Sequence, residues 1–90
     1  MGIVRRAVKI QNKAGLHARA AAKLVQLSEK FKSEIKLVRG RTSANAKSIM
    51  GVMMLAAVCG ARLTVEVRGS DAQKAIDAVV MGQPVVRVQD

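Results

Sequence analysis

Apolar and polar residues alternate at the start of the chain, with Val4, Val8 and Ile10 in one set and Arg5 and Lys9 in the other. This period of two is that of a strand with one buried face, and it predicts an extended segment over residues 3 to 10. Arg6 interrupts the apolar set, so the first residues are expected to fray. The polar run Gln11 to Gly15 reads as a connection. From Ala18 the period becomes helical: Ala20, Leu24, Leu27 and Phe31 share a face, and Arg19, Lys23, Gln26 and Lys30 lie elsewhere. Ile35 and Leu37 alternate with Glu34 and Lys36 in a second strand. Gly40-Arg41 then suits a two-residue type II′ hairpin turn, which returns the chain through Thr42 to Ala46.

Lys47 to Ala57 predicts a short apolar helix with Ser48 as its N-cap and Val52, Leu55 and Ala56 at core spacing. Leu63, Val65 and Val67, alternating with Thr64, Glu66 and Arg68, form the clearest strand pattern. Ser70 and Gln73 have the spacing of a capping box ahead of a last helix carrying Ala72, Ala75, Ile76, Val79 and Val80 on one face. Gly82 and Pro84 end that helix, and Val85 to Val88 reads as extended. The order is β-α-β-β-α-β-α, with room for a short terminal strand. Elements this short around a central hairpin predict an α+β fold. The expected architecture is an open-faced two-layer β-sandwich, with an antiparallel four-stranded sheet, three helices on one face and the other face in water.

Composition narrows what such a domain does. The 90 residues make one modest core, which favours a carrier or binding module over a stand-alone enzyme. With one aromatic, Phe31, the core must be aliphatic, and the stacking platforms used to hold single-stranded nucleic acid are missing. Cys59 is the only cysteine, so there is no internal disulfide and no cysteine metal cluster. Neither a metal nor another cofactor is expected. No apolar run suits a signal peptide or a membrane span, and a cytoplasmic protein without membrane insertion is the expectation. The net charge is +10, and residues 1 to 47 hold twelve of the sixteen basic side chains against two acidic ones. Acidic partners are implied.

The candidate chemistry centres on the single histidine. His17 stands between the polar turn and the first helix, where backbone N–H groups without internal partners, together with the peptide dipoles, favour a phosphate. A neutral imidazole there is a nucleophile, and Arg19 supplies a planar cation for a transferring phosphoryl group. On the second helix Ile49, Met50 and Met53 form an apolar set beyond what so short an element buries, a pattern typical of an adaptable protein contact. Completing the core is the alternative reading of these three residues.

Two segments carry a resemblance. Gly15-Leu16-His17-Ala18-Arg19 resembles the active-site motif of HPr, the histidine-containing phosphocarrier family of the bacterial phosphoenolpyruvate-dependent phosphotransferase system. Asn45 to Leu55 resembles that family's regulatory-serine motif. The resemblance implies one phosphocarrier domain over residues 1–90, monomeric. In it His17 accepts a phosphoryl group through its δ nitrogen from phospho-enzyme I and passes it to an enzyme II A protein. It further implies that Arg19 positions the group, that Ser48 is a regulatory phosphorylation site for a serine kinase/phosphorylase, and that Ala18, Ile49, Met50 and Met53 dock partners. The family motif continues with proline after Arg19, where this chain has Ala20. The helix is expected to persist there with its start slightly shifted. A basic nucleic-acid-binding module and an interaction module whose histidine is never phosphorylated are the alternatives. The first has the charge in its favour but lacks aromatics and base-reading motifs.

Overall fold

The computed structural model describes residues 2–55, 58–81 and 85–88. The alternating runs become β1 (Gly2–Ile10), β2 (Glu34–Arg39), β3 (Thr42–Asn45) and β4 (Arg62–Gly69). The helical runs become α1 (Ala18–Ser28), α2 (Ile49–Met54) and α3 (Ala72–Met81), and the tail adds β5 (Val86–Val88). The four strands anticipated from the pattern form an antiparallel sheet with the three helices. β5 extends that sheet to the order β3-β2-β4-β1-β5 by pairing with Val8, Lys9 and Ile10.

Register explains which residues are buried. Val8 lies opposite Leu63, Ile35 opposite Val67, and Leu37 between Val65 and Ala44, so one sheet face is aliphatic apart from Arg6 near its edge. Ala21 and Leu24 of α1, Val52 of α2 and Ile76 and Val79 of α3 pack on that face in one continuous core. Each fully buried Val, Leu or Ile contributes about 1.5–3 kcal/mol relative to exposure. The opposite face, carrying Arg5, Lys9, Arg62 and Arg68, stays in water.

β1 does not fray: it is paired from Gly2, opposite Gly69. Arg6 takes an inward register position opposite Val65 yet is exposed. β5 pairs only with residues 8 to 10, which leaves Arg6 beside the sheet edge, where a long side chain reaches solvent.

Gly40 has φ +59, as primed hairpin turns require at their first position. Gly69, at φ +152, closes the end of β4 against the start of β2. A Cβ there would lie 2.7 Å from Ser33 Cα. Asp71 completes this junction by accepting hydrogen bonds from the Lys32 and Ser33 backbone N–H groups, each at 2.9 Å, and from the Ser33 hydroxyl. These bonds favour the carboxylate and hold the Asp71 carboxyl below its ordinary value, the Ser33 hydroxyl contributing most. The box expected from Ser70 and Gln73 is replaced: Gln73 Nε2 donates to Asp77 Oδ1 at 3.0 Å, one turn further along α3.

Two cations bind backbone carbonyls that follow helices. Lys47 Nζ donates to the Phe31 carbonyl just beyond α1 at 2.7 Å, and Arg39 Nη1 donates to the Leu55 carbonyl at the end of α2 at 2.9 Å. Positive groups at these ends meet the partial negative charge of the helix C-terminus.

Candidate functional site

The loop that delivers His17 is built from both ends. Gly15 N–H donates to the Asn12 carbonyl at 2.9 Å while Asn12 Nδ2 donates to the Gly15 carbonyl at 2.8 Å, so Asn12 closes the turn with its backbone and its side chain. Gln11 N–H donates to the Val85 carbonyl at 2.8 Å, and Asn12 N–H bonds the same oxygen at 3.4 Å. Leu16 is buried beside this turn, and Ala20 and Ala21 are buried just after it. His17 and its neighbours Ala18 and Arg19 stand exposed on a pinned backbone.

His17 is the N-cap of α1, in extended conformation (φ −81, ψ −178). Its Nδ1 accepts the Arg19 backbone N–H at 3.3 Å, and its carbonyl accepts the first intrahelical bond from Ala21 N–H at 2.8 Å. As an acceptor, Nδ1 is the unprotonated ring nitrogen, with its lone pair aimed at the first turn of the helix. The helix starts at Ala18, where the pattern placed it, and Ala20 is its third residue. What the alanine adds is an N–H in the first turn, one more donor toward any anion at Nδ1.

Ser48 is the N-cap of α2 (φ −116, ψ 114), and its Oγ accepts Gly51 N–H at 3.0 Å. Gly51 is snug against the cap, since a Cβ there would lie 3.2 Å from Ser48 Oγ. Asn45 prepares this start: its Oδ1 accepts Lys47 N–H at 2.9 Å and its carbonyl accepts Ser48 N–H at 3.0 Å. Val52 and Leu55 are buried as the spacing required, whereas Ala56 lies outside the described residues. Ile49, Met50 and Met53 are 44%, 71% and 39% exposed, so they do not complete the core. Met54, at 75%, enlarges the same surface beyond the three residues that the pattern singled out. α1 and α2 pack against each other, which brings both helix starts and the apolar residues into one two-helix layer.

Asn12 and Asn45 were not among the expected site residues. Each precedes its helix by a few positions and brackets a turn, and Asn in a polar run before a cap was the available signal.

A family model described as the PTS HPr component phosphorylation site matches residues 4–81. The chain belongs to the HPr family. An HPr from Cupriavidus necator is 51% identical over 78 residues, covering 87% of this chain and 88% of that protein. The phosphocarrier protein NPr of Shewanella violacea is 46% identical over 74 residues, covering 82% and 81%. Among solved structures, the HPr of Bacillus anthracis superposes with a TM-score of 0.83 at 39% identity, over 88% of this chain and 94% of that one. The HPr assignment makes the chain a phosphocarrier protein of the phosphotransferase system. Among the described residues, no helix is long and apolar enough to cross a membrane, and no group of three His, Cys, Asp or Glu side chains is placed to hold a metal.

Proposed function

We propose that His17 takes a phosphoryl group from phospho-enzyme I and hands it to an enzyme II A protein. The observation that carries this reading is an exposed imidazole held as a helix cap with its Nδ1 lone pair turned toward backbone donors. In the forward step Nδ1 attacks phosphorus, the N–P bond forms, and the bond from phosphorus to the donor breaks with its electron pair leaving on the donor. As the lone pair becomes a bond, the Arg19 N–H that it accepted is released to a phosphoryl oxygen. The Ala20 N–H is a second donor at the same end. The Arg19 guanidinium neutralises charge on the transferring group. A phosphoryl group on nitrogen remains a good donor, so the reverse chemistry on an enzyme II A protein passes it on.

Ser48 is the regulatory site in this reading. Phosphorylation adds about −1.5 to −2 charges beside Ile49, Met50 and Met53. At a helix N-terminus the fold tolerates that charge. An acidic partner docking on Ala18, Ile49, Met50 and Met53 does not, so inhibition is electrostatic. The test is intact-mass measurement after mixing the protein with phosphoenolpyruvate and an active enzyme I. One acid-labile phosphoryl adduct is expected on the wild type and none on His17→Ala. An unlabelled wild type would overturn the carrier role, and a labelled His17→Ala would move the site elsewhere.

A further inference from the structure

The solvent face of the sheet is organised in rungs that run across the strands, and their charges are not distributed alike. One rung sets Lys36 beside Glu66 and Glu66 beside Arg5, with the Arg5 Nε to Glu66 Oε2 ion pair at 2.9 Å. The rung beyond it sets Glu34 beside Arg68. Opposite charges across strands are what stability selects. At the other end the register breaks the rule: Lys9 lies opposite Arg62 on β4. Among the described residues neither Lys9 nor Arg62 has a carboxylate within ion-pair distance. Like charges directly opposed are destabilising, and a single acidic residue at position 9 would relieve the pair.

Between the compensated Lys36–Glu66–Arg5 rung and the cationic one runs a rung of small uncharged residues: Ser43, Val38, Thr64 and Ala7. It forms the floor of a shallow trough across β3, β2, β4 and β1. Its walls stand about 13 Å apart, four residues of strand rise. Lys9 and Arg62 form one wall, and Arg5 and Lys36 line the other. No aromatic side chain lies on this face, because the chain's only one, Phe31, packs against the core. A nucleic-acid strand would find cations there but nothing to stack on.

We propose that this trough docks an extended acidic segment of a protein partner, on the sheet face opposite the helix layer that carries His17 and Ser48. Charge complementarity selects the occupant: carboxylates from the segment supply the counter-charge that the Lys9 and Arg62 rung lacks among the described residues. The relay reading is not needed for this proposal.

The test is an amide NMR titration with a decaglutamate peptide at low salt, alongside a ten-nucleotide oligouridylate. The peptide should shift the amides of residues 7, 9, 62 and 64, and the effect should fade as salt is raised. The double variant K9E/R62E keeps a like-charge pair in the rung, so its unfolding midpoint should stay near that of the wild type while its affinity for the peptide falls at least tenfold. Arg68→Glu, outside the trough, should cost threefold or less. The single variant Lys9→Glu should unfold at a higher temperature and still lose the peptide. The proposal is overturned if the shifts fall on the α1 and α2 side, if K9E/R62E binds as the wild type does, or if the oligouridylate binds tenfold more tightly than the peptide.

Discussion

α1 and α2 begin with the same device and use it differently. Both have an extended N-cap residue whose side chain accepts a first-turn N–H. His17 reaches only the second helical position, at 3.3 Å, whereas Ser48 reaches the third, at 3.0 Å. The ring is exposed, while the hydroxyl is half-buried under Gly51. The longer bond, open to solvent, is cheap to give up, so the Nδ1 lone pair is available for chemistry. The shorter one holds a six-residue helix in place. A capping contact thus becomes a reactive centre when the contact is weak and the cap is a nucleophile. It stays structural when the bond is good and the helix is short. α1 does not depend on its cap, since Leu24 and Val25 anchor it in the core.

The strongest break of this comparison is His17→Ala. Acid-labile labelling by enzyme I and phosphoenolpyruvate should fall below detection, a loss of more than about a thousandfold, since removing a nucleophile abolishes covalent transfer. Thermal unfolding should move little. Ser48→Asp should slow transfer from enzyme I by about tenfold, the effect of about 1.4 kcal/mol in partner docking, with the circular dichroism unchanged. An unchanged rate would separate α2 from the relay. Ser48→Ala should do the opposite of His17→Ala, costing about 1 kcal/mol in urea unfolding while leaving the labelling rate within about twofold of wild type.

A third helix start sharpens the contrast by titration. The Asp71 carboxyl lies below its ordinary value because Ser33 and Lys32 donate to it, and in the unfolded chain it returns to about 3.9. Between those two values the unfolded state binds more protons, so stability rises with pH there. The contribution is present above about pH 4 and is lost as pH falls through the folded value. Asp71→Asn should therefore flatten part of the acid limb of a stability profile, and an identical limb would remove Asp71 from the junction. Glu66, lowered chiefly by its hydrogen bond from Arg5, acts in the same direction and accounts for some of the remainder. The smallest effect is expected from Ala20→Pro, which removes the extra first-turn N–H. The helix should still start at Ala18, and the labelling rate should change by less than about threefold.

Periodicity carried most of the fold into view. Strand alternation and helix spacing located six of the seven main elements, because each buries one face and its apolar residues must repeat, and the Gly40-Arg41 turn supplied β3. The two caps were also legible, since Ser48 and His17 stand directly before an apolar helical run. What escaped were bonds made over long separations by polar side chains. Asp71 to Ser33, Lys47 to Phe31 and Arg39 to Leu55 have no period and leave no local mark. The Ser70 and Gln73 spacing misled because Gln73 found a partner one helical turn ahead. β5 was legible as extended, but its partner was not, since pairing with β1 is decided by the finished sheet.

The Val85 carbonyl, which holds Gln11 and Asn12, also sets an order in time. A ribosome delivers His17 early, and α1 has the residues to form soon afterwards. The bonds that tie residues 11 and 12 to the Val85 carbonyl have to wait until residue 85 is free to pair. A nascent chain therefore exposes its histidine before this support of the turn ahead of it is in place.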